Sequence, residues 1–250
     1  MGTVLVLLPP SETKADGGLG SPLDLDALSY PELGPARRKL SAALVELAAD
    51  LPGSLAALEL SPRQAAEVQR NAELFDSPTM PALSRYTGVL YDALDVPGLT
   101  KAELARAHQR LAVASALFGL VAAGDPIPAY RLSGGSVLPG IGGLRGLWRS
   151  ELEPVLATAD DLVVDLRSGA YAALAKVPHA ITVRVLSEDG AGRRKAVSHH
   201  NKAHKGRLAR ALAATRSEPK SAAGVVTVAR RAGLVVEHTG QQCLDLVVPA

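Results

Sequence analysis

Apolar residues along this chain occur in short runs whose spacing alternates between strand-like and helix-like periods. The first run, Val4–Leu8, is continuous and closed by Pro9-Pro10, the pattern of a central strand ending in a rigid turn. Ser11 to Ser21 is rich in small and turn residues and reads as a loop. Pro35 then opens a helix over 36–51, with Leu40, Leu44, Leu47 and Leu51 at helical spacing and Pro52-Gly53 as its stop. Ser61-Pro62 starts a second helix reaching Leu74, and 88–94 and 101–109 read as two more.

Leu111–Ser115 reads as a short buried strand. The stretch 119–143 is so dense in glycine and proline that it reads as mostly loop, and loops of that length in compact domains are usually functional. A helix over 144–156 follows, turning Leu147, Trp148, Leu152 and Leu156 inward, with Pro154 able to kink it. Leu162–Leu166 is a second buried strand and 169–174 a short helix. Runs 181–186 and 195–198 form a hairpin, Asn201 caps a basic helix to Thr215, a last helix covers 221–231, and strands follow at 234–236 and 244–248. The alternation implies one α/β (mixed α+β) domain spanning 1–250, a central, mostly buried sheet flanked by helices, with no linker and no internal repeat.

Composition narrows the class. At 47% hydrophobic the chain can bury a sizeable core, which excludes wholesale disorder. The single cysteine, Cys243, excludes an internal disulfide and a cysteine-rich zinc site and points to a reducing compartment. The N-terminal run has no basic flank and falls short of the ~20 apolar residues of a membrane span. A soluble, cytoplasmic protein is the expectation.

Charge changes the picture more. Residues 190–231 carry eleven Lys/Arg against Glu218 alone, a net +10, while 1–189 amount to −6. Such a basic third suits DNA or another polyanion, with Arg193, Arg194, Lys195, Lys202, Lys205, Arg207 and Arg210 as phosphate contacts. Solvation of helix faces explains the same charges equally well.

Aromatics are only 3% of the chain, and two stand out. Tyr130 precedes Arg131 in the Gly/Pro-rich stretch, a pair able to stack on a base and grip a phosphate. Tyr171 follows Asp165 and Ser168 past the end of a strand, where α/β proteins tend to bind ligands, although Ser168 also fits as a plain helix cap. No phosphate-binding glycine motif is present. Ser11-Glu12-Thr13-Lys14 matches the S-x-x-K spacing only weakly, because prolines and glycines flank it. His199, His200 and His204 cluster among cations that oppose a divalent metal, so anion binding is expected there and no metal or cofactor.

In their order and spacing, LLPPSETK, GVLYDAL, SALFGLVAAGDPIPAYRL, GLW, VVDLRSGAY and SHHNKAHKGRLAR resemble the YaaA family of peroxide stress proteins, over about residues 4–237. The resemblance singles out Gly88, Tyr91, Ser115, Leu117, Gly119, Tyr130, Arg131, Leu132, Trp148, Leu166, Ser168, Tyr171, Lys202, Lys205, Gly206 and Arg210. It implies a mixed α/β fold of unusual topology and DNA binding, associated with a helix-hairpin-helix-like element and protection from oxidative damage. The chain departs from the pattern in three places. PPSETK is longer than the SPAK of some members, Ala122-Ala123 stand where many carry Arg-Pro, and His199 and His200 stand where relatives can be aromatic.

Two functions follow as expectations. One is a stress protein binding nucleic acid through its basic segment, with affinity falling steeply with salt. The other is an enzyme acting on a nucleotide, nucleoside or other phosphorylated small molecule. In that second reading Lys14, Asp165, Tyr171 and Lys202 carry the chemistry, and Ser115, Tyr130, Arg131, Trp148, Ser168, His200, Lys205 and Arg210 hold the ligand. Convergence of these side chains on one place separates the two readings.

Overall fold

The computed structural model describes residues 4–159, 162–197 and 201–250. Strand β1 (Val4–Leu8) leads through a long loop to α1 (Gly34–Ala48), α2 (Leu51–Ala57) and α3 (Ala65–Ala72). Strand β2 (Met80–Pro81) and helices α4 (Ala82–Arg85), α5 (Val89–Leu94) and α6 (Lys101–Arg110) precede the hairpin of β3 (Leu111–Ser115) and β4 (Gly119–Ala122). Short strands β5 (Pro126–Ile127), β6 (Val137–Leu138) and β7 (Gly142–Gly143) lead to α7 (Leu144–Ala157), β8 (Leu162–Asp165) and α8 (Gly169–Ala172). The remainder is β9 (Ile181–Glu188), β10 (Arg194–Ala196), α9 (Asn201–Ala214), α10 (Ala222–Arg231), β11 (Val235–Gly240) and β12 (Cys243–Pro249).

The main sheet runs β11-β12-β9-β8-β1-β3-β4, with β10 on β9 and two minor pairs, β2–β5 and β6–β7, elsewhere. Its central pairings, β12–β9, β9–β8, β8–β1 and β1–β3, are parallel. Parallel strands are covered on both faces, which is why β3 is buried at every position and β1 at all but Leu5. Connections from β1 go toward β3 and those from β8 toward β9, so the chain reverses direction between β1 and β8. In open α/β sheets, ligands sit beyond the carboxyl ends of the strands at such a reversal.

Two expectations about elements need correction. Gly119–Ala122 is a strand, not loop, antiparallel to β3. Gly119 stands at φ +73 against the Trp148 ring, where a Cβ would come within 2.6 Å of ring carbon, so only glycine lets the hairpin turn there. Pro52-Gly53 does not end the helical region. Helix α1 stops at Ala48, and Asp50 caps α2 by accepting from the Gly53 N–H, with Pro52 in the first turn. Helix α7 continues through Pro154 to Ala157.

Helix α9 packs on α5, α6 and β1. The approach to α5 is so close that a Cβ on Gly206 would lie 2.2 Å from the Leu90 carbonyl oxygen. Arg210, one turn on, donates to the carbonyls of Leu94, Asp95 and Gly98, supplying acceptors at the end of α5 with a cation. No helix among the described residues is long and apolar enough to cross a membrane.

Candidate functional site

Past the end of β1, residues 11–15 run alongside 85–87. Lys14 bridges to Tyr86, the Ala15 N–H donates to the Arg85 carbonyl at 2.8 Å, and the Thr87 N–H donates to the Thr13 carbonyl at 3.3 Å. This pairing points the Lys14 side chain inward. Its Nζ lies 4.2 Å from the Tyr130 ring centroid and 5.4 Å from that of Tyr86, and donates to the Ser11 carbonyl at 3.2 Å. Lys14 is 7% exposed and has no salt bridge to a carboxylate among the described residues. Loss of hydration lowers its pKa to about 7. The nearby charges, Glu12 and Glu67 against Arg131 and Arg70, oppose one another.

Behind the rings lies a chain of hydroxyls. Ser115 Oγ, at the end of β3, accepts from the N–H groups of Leu117 (3.2 Å) and Phe118 (2.9 Å). With both lone pairs used, it donates to the Tyr130 hydroxyl at 2.8 Å, and the Tyr130 and Tyr86 hydroxyls share a further hydrogen bond at 2.8 Å. Burial raises the phenols of Tyr130 and Tyr86, that of Tyr86 to about 12. Tyr86 also stacks on Tyr91, whose hydroxyl donates to the Pro9 carbonyl at 2.8 Å and so holds the end of β1.

Arg131 is placed by Asn71, a buried α3 side chain that accepts from the Arg131 N–H at 2.7 Å and donates to its carbonyl at 2.9 Å. The guanidinium reaches Glu12, with Nη1 3.4 Å from Oε2, while its buried Nε has no partner among the described residues. The Tyr171 hydroxyl accepts from the Gly134 N–H at 3.1 Å, tying the loop after Arg131 to α8. Burial raises the Tyr171 pKa well above that of an ordinary phenol, with Glu12 adding to the shift.

Lys14, Ser115, Tyr130, Arg131 and Tyr171 therefore come together, drawn from the loops beyond β1 and β5, the end of β3 and helix α8. Lys205 joins the same sheet edge from α9, donating to the carbonyls of Leu166 (3.1 Å) and Arg167 (3.3 Å). Desolvation lowers its pKa against the pull of Asp165.

Other sequence-predicted residues have different surroundings. Asp165 is held by Arg167, which donates from Nε to Oδ1 at 2.9 Å and from Nη2 to Oδ2 at 2.8 Å. Trp148 is fully buried and donates to the Ala116 carbonyl at 2.7 Å, bracing the β3–β4 turn. Ser168 is exposed before α8 and makes no side-chain cap. His199 and His200 lie outside the described residues. Among those described, no three His, Cys, Asp or Glu side chains gather as a metal would require.

The basic segment is less free than its charge suggests. Arg193 pairs with Asp189 at 2.8 Å, and Arg194 with Glu188 and Glu237, both at 2.6 Å. Arg210 is committed to the end of α5. Lys195, Lys202 and Arg207 are exposed.

Sequence reasoning missed Glu12, Asn71 and Tyr86 as parts of the site, and Arg167 as the partner of Asp165. Tyr86 carried a signal, since aromatics are so few, but nothing in the spacing of Asn71 links it to Arg131, sixty residues away.

This is a mixed α/β protein with a buried lysine, an arginine and tyrosines assembled beyond the carboxyl ends of its parallel strands. The sequence profile of the family described as peroxide stress protein YaaA matches residues 4–236. The chain belongs to that family. A protein of Corynebacterium efficiens, named as a UPF0246 protein, is 50% identical and aligns over 98% of this chain and 100% of its own length. A Corynebacterium glutamicum UPF0246 protein is 47% identical over 98% of this chain and all of its own. One from Streptomyces coelicolor is 47% identical over 94% of this chain and 92% of its own.

Proposed function

We propose that this peroxide stress family member acts on a nucleotide or another phosphorylated small molecule bound beyond the ends of β1, β3 and β8. The observation that carries the reading is Lys14, an amine packed against two tyrosine rings and joined to no carboxylate among the described residues. Burying an unpaired lysine costs stability, and surface attachment to a polyanion has no use for one. Arg131 supports the reading with a guanidinium whose Nε has no partner among the described residues. In this reading Arg131 grips phosphate. Lys14 moves a proton near neutral pH, where a pKa of about 7 serves acid and base roles alike. Tyr86, backed by Tyr130 and Ser115, offers a hydrogen bond to developing negative charge. Tyr171 holds the loop after Arg131, and Lys205 holds the end of β8.

Calorimetric titration with mononucleotides, nucleosides and sugar phosphates tests this. Binding of a phosphorylated compound that Arg131→Ala weakens at least tenfold, and that Lys202→Ala/Arg207→Ala leaves alone, is the expected result. Failure of every phosphorylated compound to bind, or binding unchanged in Arg131→Ala, contradicts it.

Exposed Lys195, Lys202 and Arg207 favour a second reading, DNA binding through the basic segment. Anisotropy of a labelled duplex and single strand over a salt series tests it. Loss of Lys202 and Arg207 should flatten the dependence of log K on log salt by about 0.9 per phosphate contact removed.

A further inference from the structure

We propose that Lys14 is a nucleophile that condenses with the carbonyl group of a phosphorylated sugar to form a Schiff base. The inference deepens the small-molecule reading above and rests on it for the phosphate. Three features of the geometry support it. The amine lies against the rings of Tyr130 and Tyr86 and, among the described residues, makes one hydrogen bond, to the Ser11 carbonyl, and no salt bridge to an acid. Burial of the amine against the two rings, at 7% exposure, limits the access of water, which slows hydrolysis of an imine. The hydroxyls of Ser115, Tyr130 and Tyr86 form one hydrogen-bonded chain behind the rings that face the amine, and in the proposal a phenol of that chain donates to the carbonyl oxygen as it takes up negative charge.

In the step, the Nζ lone pair attacks the carbonyl carbon and a C–N bond forms as the carbonyl π electrons move to oxygen. That oxygen, stabilised by Tyr86, takes a proton and gives a carbinolamine. The C–O bond then breaks, the two hydrogens once on nitrogen leave with the oxygen as water, and a C=N bond remains. No electrons are exchanged with a third party.

Groups facing the amine are Glu12 on its own loop, Glu67 and Arg70 on α3, Arg131 on the loop after β5, and the tyrosines. With burial dominant, the amine is about half neutral at pH 7. The neutral fraction of an ordinary lysine at that pH is roughly a thousandfold smaller. Selectivity for one lysine is therefore the signature.

Wild-type protein is incubated at pH 7 with 2-deoxyribose 5-phosphate and cyanoborohydride, and adducts are located by intact mass and peptide mapping. Unphosphorylated 2-deoxyribose runs in parallel. An oligonucleotide with one abasic position asks whether the same aldehyde is taken from within a strand. The expected result is a single adduct on the Lys14 peptide, formed at least tenfold faster with the phosphorylated sugar, slowed by Arg131→Ala and lost in urea-unfolded protein. Adducts scattered over surface lysines, at a rate unchanged in Lys14→Met, overturn the proposal. Equal labelling of Lys14 by both sugars supports the nucleophile and removes the phosphate reading. Calorimetric binding of the phosphosugar with no Lys14 adduct does the reverse.

Discussion

Two groups of cations in this molecule differ in a way that composition hides. In the basic C-terminal third, Arg193, Arg194 and Arg210 meet carboxylates or helix-end carbonyls of the same chain. Beyond the strand ends, Lys14 is a single cation in an acidic N-terminal half, buried and in no salt bridge among the described residues. The first group looks like a binding surface by count and proves partly structural. The second is invisible to counting, yet it is the one that the fold maintains at a cost. A cation that destabilises its own protein is the stronger mark of function.

The largest expected effect follows from that cost. Below about pH 7 both folded and unfolded chains hold the Lys14 proton, and folding bears the full penalty of burying an ammonium. Between about 7 and 10.5 only the unfolded chain holds it, so stability rises with pH. Above 10.5 both are neutral and the penalty is gone. Lys14→Met should therefore stabilise the protein by about 2–4 kcal/mol below pH 7, with the gain fading by pH 10. Urea denaturation across pH measures it. A destabilised variant at pH 6 would mean that Lys14 is a structural cation like Arg210.

Lys205 sharpens the contrast. It is also desolvated, but its ammonium is the donor to two strand-end carbonyls, so Lys205→Met should destabilise by about 1–3 kcal/mol. Stabilisation by both methionine variants would erase the distinction between the two lysines. Within the hydroxyl chain, Tyr130→Phe strands Ser115 and Tyr86 and should cost about 1–2 kcal/mol by denaturant titration. The smallest effect belongs to the surface. Lys202→Ala/Arg207→Ala should change stability by no more than about 0.5 kcal/mol, and a larger loss would show that these residues also hold the fold.

Much of the fold was legible in the sequence because the local signals were strong. The runs at Val4–Leu8 and Leu111–Ser115 are continuous and apolar, as fully buried parallel strands are. Glycine and proline misled twice. In 119–143 their density concealed β4, whose glycine is required by the Trp148 ring and not by a loop. At Pro52-Gly53 a helix start resembled a helix stop, since proline suits the first turn of a helix as readily as the end of one. The site was half legible. Tyr130, Arg131 and Tyr171 stood out as rare residues at strand ends and loops. The flanking residues that made Lys14 a poor match for a helical S-x-x-K motif said nothing of the aromatic cage that the Tyr86 pairing builds. Roles were harder still, because the committed partner decides them: Asp165 faces Arg167, and Trp148 faces Ala116.

The central claim is that Lys14 is an amine at a ligand site that gives up its proton near neutral pH, and its titration tests that most directly. Protein carrying lysine labelled with carbon-13 at Cε, assigned by comparison with Lys14→Met, is followed by NMR from pH 5 to pH 11. The account predicts a Lys14 resonance with a midpoint about 7, apart from the other lysines and displaced by added sugar phosphate. A midpoint near 10.5, moving with the surface lysines and indifferent to ligand, would contradict it.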